Sequence, residues 1–313
     1  MSDLKNNNSG KKAKLLVPLL SLLFLLVTAA TTGIRFDHYL LVAIVISCYF
    51  ISPQSRRLIT GLAIIIVYWI IYDSMKAWPN YAFNEVDILP LYSLEKSLFG
   101  IHQGNNLLTP NEYLSGYTNS FLDIISGIFY LGWIPLPLFF AFYLYIKHKN
   151  LFLRFCMAFF IVNIIGFIIY YFYPAAPPWY IEKYGPVLDV HTKSYAAGLL
   201  RFDQYFNIKL FEGLYSKGSN VFAAMPSLHS SYPLIGLIYA WKQPARLLKI
   251  IFAIFMVGIW FSAIYLNHHY ILDVLAGIGC GLLGIFILEI ILLKTKWFSQ
   301  FMRNYEYRIT SVK

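Results

Sequence analysis

The stretch FAAMPSLHSSYP, residues 222–233, opens an apolar run that a membrane would accept, yet it places His229 directly behind a proline and a serine. Further along the chain, NHHYILDV (267–274) again places ionisable side chains at the start of an apolar run. Ionisable groups at membrane depth are costly and tend to be functional. The fold must therefore account for the ionisable groups in both segments.

The composition is that of a membrane protein. Of 313 residues, 58% are hydrophobic and 13% are charged, whereas a soluble domain has about 25% charged residues. The mean hydropathy is +0.59. The net charge of +10 does not indicate a nucleic-acid partner, because the basic residues form short clusters between apolar runs, as cytoplasmic loops do. The cysteines lie inside apolar runs, so no disulfide framework is expected.

Apolar runs near the length of a membrane-spanning helix predict an all-α polytopic protein. About eight spans are predicted, at 15–33, 38–53, 58–73, 121–146, 152–173, 226–241, 247–266 and 269–293. The second, third and sixth runs are short, so a pair of re-entrant or interfacial segments, leaving about six true spans, is the alternative. The first run also fits a cleaved signal sequence, but it is long for a signal core, and a retained helix is favoured.

The positions of lysine and arginine predict the orientation. With the N-terminus in the cytoplasm, every short basic loop lies on the inner side and the long loops 74–120 and 174–225 face outward. Both termini are then cytoplasmic. His229 and the segment HHYILD (268–273) reach the same outer face, although the chain crosses the membrane twice between them. The active site is therefore predicted on the extracytoplasmic or lumenal side of an integral, multi-pass protein.

The residue types in the two segments predict nucleophilic chemistry. Ser227 and His229 lie in the first turn of a predicted helix, where backbone N–H groups without helical partners attract anions such as phosphate. Asn267 is the predicted N-cap of the last span, and His269 and Asp273 follow at i and i+4 on one helix face. A carboxylate there fixes the tautomer of the imidazole and leaves its other nitrogen free as nucleophile or base.

Other interpretations of these side chains stay open at this point. Two histidines and a carboxylate are also a ligand set for zinc. A lone histidine at a membrane interface usually lies among lipid headgroups, and this is the expectation for His268. Glu289, near the inner end of the last span, is expected to be an interfacial residue. No functional role is predicted for His38, His102, His148 and His191.

The two segments resemble motifs of the type 2 phosphatidic acid phosphatase superfamily, whose pattern is KxxxxxxRP, then PSGH, then SRxxxxxHxxxD. PSLH (226–229) is similar to the second motif. Ser262, His269 and Asp273 stand at the positions of the third. Ala263 stands where that superfamily has arginine, and KxxxxxxRP does not occur. The resemblance implies a six-helix membrane core.

Where the sequence departs from that pattern, it resembles one subfamily, the catalytic subunit of inositol phosphorylceramide synthase. The similar segments are LPLYSLEKSLFG (89–100), TNSFLDI (118–124), YPAAPPWY (173–180), GLLRFDQ (198–204), AAMPSLHSS (223–231) and YLNHHYILDVLAG (265–277). The resemblance implies transfer of a phosphoinositol or similar headgroup from a glycerophospholipid such as phosphatidylinositol to a ceramide-type acceptor. It implies no metal and no cofactor. An accessory subunit is left open, because some relatives have one.

By that resemblance, His269 attacks phosphorus and forms a phosphohistidine, Asp273 orients it, and His229 acts as general acid and then as general base. Arg201 is the preferred cation for the phosphate, and the alternative is a surface arginine paired with Asp203. The predicted substrate- and phosphate-binding residues are Ser227, Arg201, Lys217, Asp123, Trp179 and Tyr180.

The shortage of fixed cations favours a phosphodiester donor, because a phosphate monoester is close to a dianion and gains more from positive groups. A lipid phosphatase, acting on a phosphatidic-acid-like or phosphoinositol-phosphate monoester, remains the alternative. A non-enzymatic lipid transporter is less favoured, because the chain has no clear internal repeat.

The chain is predicted to divide into three parts. Residues 1–57 form an N-terminal cytoplasmic tail with two accessory spans. Residues 58–293 form the catalytic membrane domain, and residues 294–313 form a cytoplasmic tail.

Overall fold

The computed structural model describes residues 2–216, 218 and 220–311, with side chains described from Leu15 onward. The regular elements of this part of the chain are helices and one antiparallel hairpin, in which Ile101–Gln103 (β1) pairs with Asn106–Leu108 (β2). The predicted all-α class is confirmed. The chain forms two compact units, Met1–Trp78 with Gln300–Lys313, and Pro79–Ser299. The predicted functional division at residues 57 and 293 stays a prediction.

The first unit is helical, and an ion cluster around the buried Asp73 joins two of its helices. Its helices are α1 (Ser2–Thr31), α2 (Phe36–Ile51), α3 (Pro53–Gly61), α4 (Ala63–Ser74), a 3-10 turn (Met75–Ala77) and most of α16 (Lys296–Thr310). Asp73 accepts from Arg35 at 2.7 Å and lies 2.9 Å from His38 Nε2 and 3.1 Å from Lys76 Nζ. His38 therefore joins α2 to α4, which is a structural use of a histidine for which the sequence predicted no functional role.

The second unit contains the two histidine segments. Its helices are α5 (Leu89–Phe99), α6 (Pro110–Ser115), α7 (Ser120–Gly132), α8 (Pro135–Lys147), α9 (Lys149–Phe172), α10 (Pro178–Tyr184), α11 (Leu200–Phe206), α12 (Leu210–Tyr215), α13 (Leu228–Trp241), α14 (Arg246–Tyr265) and α15 (Ile271–Phe286). Short 3-10 segments lie at Asn80–Ala82, Ala197–Leu199 and Leu292–Lys294, and a π-helical segment lies at Ile287–Ile291. Helices α9, α13, α14 and α15 pack together to form its centre.

Within the described residues, three helical segments are long and apolar enough to cross a membrane: Lys149–Phe172, Arg246–Tyr265 and Ile271–Lys294. Two bent pairs each add a span if the pair is counted as one: Pro53–Gly61 with Ala63–Ala77, and Ser120–Gly132 with Pro135–Lys147. The second pair bends by 43° just before Pro135, because proline has no backbone N–H for the helix and its ring meets the carbonyl of residue i−4. Leu15–Thr31 and Phe36–Ile51 are shorter apolar helices. The number of eight spans stays a prediction.

Glu289 lies at the opposite end of α15 from the histidine turn, within the π-helical segment. Its carboxylate is ion-paired with Arg154 and lies 3.0 Å from Lys242 Nζ, and it accepts a hydrogen bond from Tyr239 at 2.7 Å. The partly buried carboxylate thus links α9, the end of α13 and the segment that follows α15, which is a more specific role than the interfacial one predicted for it.

Helices α13 and α15 approach each other most closely at Gly277. A Cβ atom added to Gly277 would overlap the carbonyl oxygen of Ser227. Ser231 Oγ donates to the Gly277 carbonyl at 2.5 Å, and the Ser227 N–H donates to the Asp273 carbonyl at 2.8 Å. The missing side chain at Gly277 therefore allows the start of α13 to lie directly against the first turns of α15.

We expect Gly277→Ala to lower the stability of the folded protein, because the added methyl group meets backbone and not a movable side chain. Overpacking of this kind costs about 1–3 kcal/mol, to be measured by thermal unfolding in detergent. Gly279→Ala on the same helix is the matched control, since a Cβ there meets no atom within 4 Å and alanine favours the helix. Equal melting temperatures for the two variants would contradict the proposed role of Gly277.

Candidate active site

His229 and His269 are brought together from two different chain segments. His229 lies in the first turn of α13, with Ser227 as the N-cap. His269 lies in the turn between α14 and α15. The centroids of the two imidazole rings are 5.6 Å apart. The expectation that the two segments meet, although two helices separate them in sequence, is confirmed.

The turn that carries His269 folds back onto the end of α14. The N–H groups of His268 and His269 both donate to the carbonyl of Ala263, at 3.1 and 3.0 Å. Asn111, which is fully buried on α6, donates through Nδ2 to the carbonyls of Ile264 and His269, each at 2.9 Å. The backbone of the turn is therefore held from α14 and from α6.

The predicted N-cap of the last helix is wrong. Asn267 has a φ of +63° and lies in the left-handed region, which asparagine tolerates better than most residues and which is common where a helix ends. Helix α15 begins at Ile271, with Tyr270 as the N-cap. His269 therefore precedes the helix, and it does not share a helix face with Asp273 as the i, i+4 spacing predicted.

His269 and Asp273 nevertheless lie side by side. Nδ1 of His269 is 3.5 Å from Oδ2 of Asp273, and the carboxyl group is fully buried. The same Oδ2 accepts the Tyr270 N–H at 2.8 Å. Among the described residues, His269 Nδ1 and Asp273 Oδ1 have no hydrogen-bond partner. Catalytic hydrogen bonds are often long without substrate and shorten in the complex, so the carboxylate can orient this imidazole.

Glu95 was missed by the sequence reasoning. It is fully buried on α5, and its carboxylate accepts the N–H groups of Ile271 at 2.9 Å and Leu272 at 3.1 Å. Burial raises the pKa of the Glu95 carboxyl, and these two donors oppose that shift. The side chain thus caps, from another helix, the free N–H groups at the start of α15. The only signal in the sequence was an acidic residue within LPLYSLEKSLFG (89–100).

His229 lies against aromatic side chains. The Tyr130 ring stacks on it at a centroid distance of 5.4 Å, and the Trp133 indole meets its edge at 4.9 Å. His229 remains partly exposed, whereas His269 is buried. The more exposed imidazole is the one that can reach groups at the edge of the site.

His268 is not an interfacial residue, in contrast to the prediction. Its ring is buried between Tyr130 and Tyr215, at centroid distances of 5.3 and 4.9 Å. Its Nε2 lies 3.1 Å from the carbonyl oxygen of Ala196. The side chain turns inward because the Asn267 backbone reverses the chain at the end of α14.

Arg201 is paired with Asp123 and not with Asp203. Arg201 Nε donates to Asp123 Oδ1 at 2.6 Å, and the Tyr265 hydroxyl donates to the same oxygen at 2.8 Å. Asp203 instead accepts the backbone N–H groups at the start of α12. A Cβ atom at Gly198 would lie 2.9 Å from Arg201 Nη2, so the glycine makes room for the guanidinium. Two predicted binding residues therefore form one ion pair.

The remaining predicted binding residues lie in different surroundings. Ser227 is fully buried, and its hydroxyl accepts from Ser230 Oγ at 3.1 Å. Trp179 and Tyr180 are buried in a cluster with Phe222. The Tyr180 hydroxyl is occupied by backbone, because it donates to the Val187 carbonyl and accepts the Asp189 N–H. Lys217 lies outside the described residues.

In the ranges that the structure describes, no group of three or more His, Cys, Asp or Glu side chains has the geometry to hold a metal ion. The side chains of His229, His269 and Asp273 can supply nucleophilic attack by an imidazole, proton transfer by a second imidazole, and orientation by a buried carboxylate.

We expect Glu95→Gln to lower turnover, because it weakens the cap that positions the start of α15. The amide keeps one acceptor oxygen but directs an N–H toward the second backbone donor, so one cap bond is lost. A lost cap of this kind costs about 1 kcal/mol of stability, and the displaced turn should lower kcat about tenfold with KM little changed. Glu85→Gln is the control, since Glu85 is exposed. A fall in melting temperature with unchanged kcat would reduce Glu95 to a purely structural residue.

Comparison with known proteins identifies the family. The PAP2 superfamily model matches residues 111–287. The phosphoinositol dihydroceramide synthase of Bacteroides thetaiotaomicron is 43% identical over 301 residues, which are 95% of this chain and 99% of that protein. The inositol phosphorylceramide synthase catalytic subunit of Saccharomyces cerevisiae is 29% identical over 240 residues, covering 73% of this chain and 56% of that protein.

A third relative is the inositol phosphorylceramide synthase of Candida albicans, which is 26% identical over 242 residues, 74% of this chain and 48% of that protein. No solved structure matches the chain significantly. The superfamily match includes the histidine pair, Asp273, Asp123 and Arg201. The chain therefore belongs to the PAP2 superfamily and, within it, to the family of the inositol phosphorylceramide synthases.

Proposed function

We propose that the protein is an integral membrane phosphotransferase that moves a phosphoinositol headgroup from phosphatidylinositol to the primary hydroxyl of a ceramide-type lipid. The observation that carries the proposal is the meeting of His229 with His269 and Asp273. The likeness over 95% of the chain to a phosphoinositol dihydroceramide synthase supports the choice of substrates.

Two displacements at phosphorus account for the reaction. In the first, a ring nitrogen of His269 bonds to phosphorus and the bond to the diacylglycerol oxygen breaks, while His229 gives that oxygen a proton. In the second, His229 takes the proton of the ceramide hydroxyl, whose oxygen bonds to phosphorus as the nitrogen–phosphorus bond breaks. Asp273 orients the His269 ring in both steps. One imidazole is thus nucleophile and leaving group, and the other is acid and then base.

The electrostatics of the site support a diester donor. The Arg201 guanidinium already shares its charge with Asp123, so the pair adds little net positive charge. Ala263 is fully buried in the apolar core, and packing closes the position at which the superfamily pattern has arginine. The N–H groups at the start of α13, beside Ser227, remain as donors to the phosphate. A monoanionic phosphodiester needs fewer fixed cations than a monoester dianion.

The orientation predicted from the basic residues is part of the proposal. Both termini lie in the cytoplasm, and the histidine pair opens on the extracytoplasmic or lumenal side. The apolar helices support an integral membrane protein, and the position of basic residues in short loops supports the sidedness.

We expect His269→Ala to abolish headgroup transfer, because the nucleophile is lost. Asp273→Asn should leave about 10²–10⁴-fold lower turnover, since the ring loses its orienting carboxylate. His229→Ala should slow a natural diester about 10²–10⁴-fold and an activated aryl ester much less, because the activated leaving group needs no proton. His102→Ala, at an exposed site, is the control. The measurement is turnover of purified protein, and equal losses on both ester types would remove His229 as the general acid.

The same site should discriminate between donors. Purified protein incubated with labelled phosphatidylinositol should label ceramide, and the product should be absent without ceramide. Phosphatidic acid should be a poor substrate, because the Arg201–Asp123 pair offers little net charge to a dianion. Lipid separation and assay of inorganic phosphate check both expectations. Efficient release of phosphate from phosphatidic acid, with no headgroup transfer, would establish the lipid phosphatase alternative.

A further inference from the structure

Helix α7 carries a line of polar side chains on its buried face. Asp123, Ser126 and Tyr130 follow at i, i+3 and i+7, and all three side chains are buried. One end of the line is the ion pair of Asp123 with Arg201, and the other is the ring of Tyr130 stacked on His229. The line spans about 10 Å along the helix axis. It therefore connects the cation of the site to the histidine pair.

Helix α14 lies antiparallel to α7 along this line. The Tyr265 hydroxyl donates to Asp123 Oδ1 near the start of α7. Near the other end of α7, Phe129 lies against Gly258, where an added Cβ atom would overlap its ring. These two contacts define the register between the helices.

In this register Ser126 and Ser262 lie at the same level on facing helices. Both side chains are fully buried. Ser262 directly precedes Ala263, whose carbonyl accepts the N–H of His269. The two serines therefore lie at the level of the turn that carries the nucleophile.

The hydroxyl groups of Ser126, Ser262 and Tyr130 have no hydrogen-bond partner within the described residues. A serine inside a helix is readily satisfied by the carbonyl four residues earlier, as Ser74 Oγ is by the Ile70 carbonyl at 2.7 Å. A buried hydroxyl without a partner is rare and costs free energy. Three of them along one side of a site indicate a ligand that carries hydroxyl groups of its own.

We propose that Ser126, Ser262 and Tyr130 form a polyol subsite that binds the ring hydroxyls of the donor headgroup. This inference rests on the proposed function and assigns it the residues that select the headgroup. Each hydroxyl of a cyclic polyol both donates and accepts, and so does each serine or tyrosine hydroxyl. A choline headgroup has neither a hydroxyl nor an N–H to pair with them and would leave all three unsatisfied.

The three hydroxyl groups have no hydrogen-bond partner within the described residues. Substituting them can therefore distinguish a binding role from a structural one. Ser126→Ala or Ser262→Ala removes a hydroxyl that holds no other part of the protein, so the melting temperature should be unchanged or higher. Tyr130→Phe keeps the ring on His229 and removes only the hydroxyl. Each variant should raise KM for phosphatidylinositol about 3- to 10-fold. The value of kcat should change less than about twofold, because these bonds form equally in the ground state and the transition state.

The experiment measures melting temperature, kcat and KM of the full-length variants with phosphatidylinositol and ceramide. It adds inhibition of the reaction by two soluble, monoanionic phosphodiesters, glycerophosphoinositol and glycerophosphocholine. The inhibition constant of glycerophosphoinositol should rise about 3- to 10-fold in each variant, and that of glycerophosphocholine should not change. Ser74→Ala is the matched control: it loses a helical hydrogen bond and should leave KM as in the unmodified protein.

Three results would overturn the polyol subsite. The first is an unchanged KM in all three variants. The second is a parallel loss of melting temperature and kcat, which is the pattern of structural residues. The third is an equal weakening of both inhibitors, which would assign the hydroxyls to the phosphate group. Absence of headgroup transfer by the unmodified protein is a separate result that removes the proposed function. The subsite is then tested by thermal shift: glycerophosphoinositol should stabilise the unmodified protein more than the three variants, and equal shifts would overturn the subsite.

Discussion

The close approach of α13 to α15 at Gly277 is the constraint on which the rest of the site depends. Because no side chain separates the helices there, the Ser227 N–H reaches the Asp273 carbonyl, and the first turn of α13 lies beside the first turn of α15. The start of α13 then lies beside the turn that carries His269, and the free N–H groups in the first turn of α13 favour an anion there. The histidine pair is a consequence of this packing.

The turn before α15 is held by side chains that are far away in sequence. Glu95 caps α15 from α5, and Asn111 binds the turn from α6. The side chains of Asn267 and His269 do not cap this helix, because Asn267 reverses the chain and His269 is turned toward Asp273. The cap therefore comes from Glu95. Burying Glu95 is costly, and the backbone donors of α15 offset part of that cost. Segments outside the histidine motifs therefore fix the backbone of the turn that carries His269.

The site is poor in net positive charge and rich in hydroxyl groups. Arg201 is neutralised by Asp123, while Ser126, Ser262 and Tyr130 are buried without partners among the described residues. A monoanionic phosphodiester with a polyol headgroup matches both properties. A dianionic monoester would need the charge that is missing, and a headgroup without O–H or N–H groups would leave buried polar groups unpaired. We propose this balance between charge and hydroxyl groups as the physical basis for selecting the donor.

The sequence by itself determined the membrane class, the two histidine segments and their meeting at one face, because hydropathy and the position of basic residues are local properties of the chain. The resemblance of its motifs also determined the family. The sequence did not determine the start of α15, the inward turn of His268 or the partner of Arg201. Nor did it reveal Glu95 or the hydroxyl groups beside the site. These features depend on which side chains from distant segments reach the same backbone groups. Only the packing of the helices decides that, since spacing along the chain carries no information about contacts between helices.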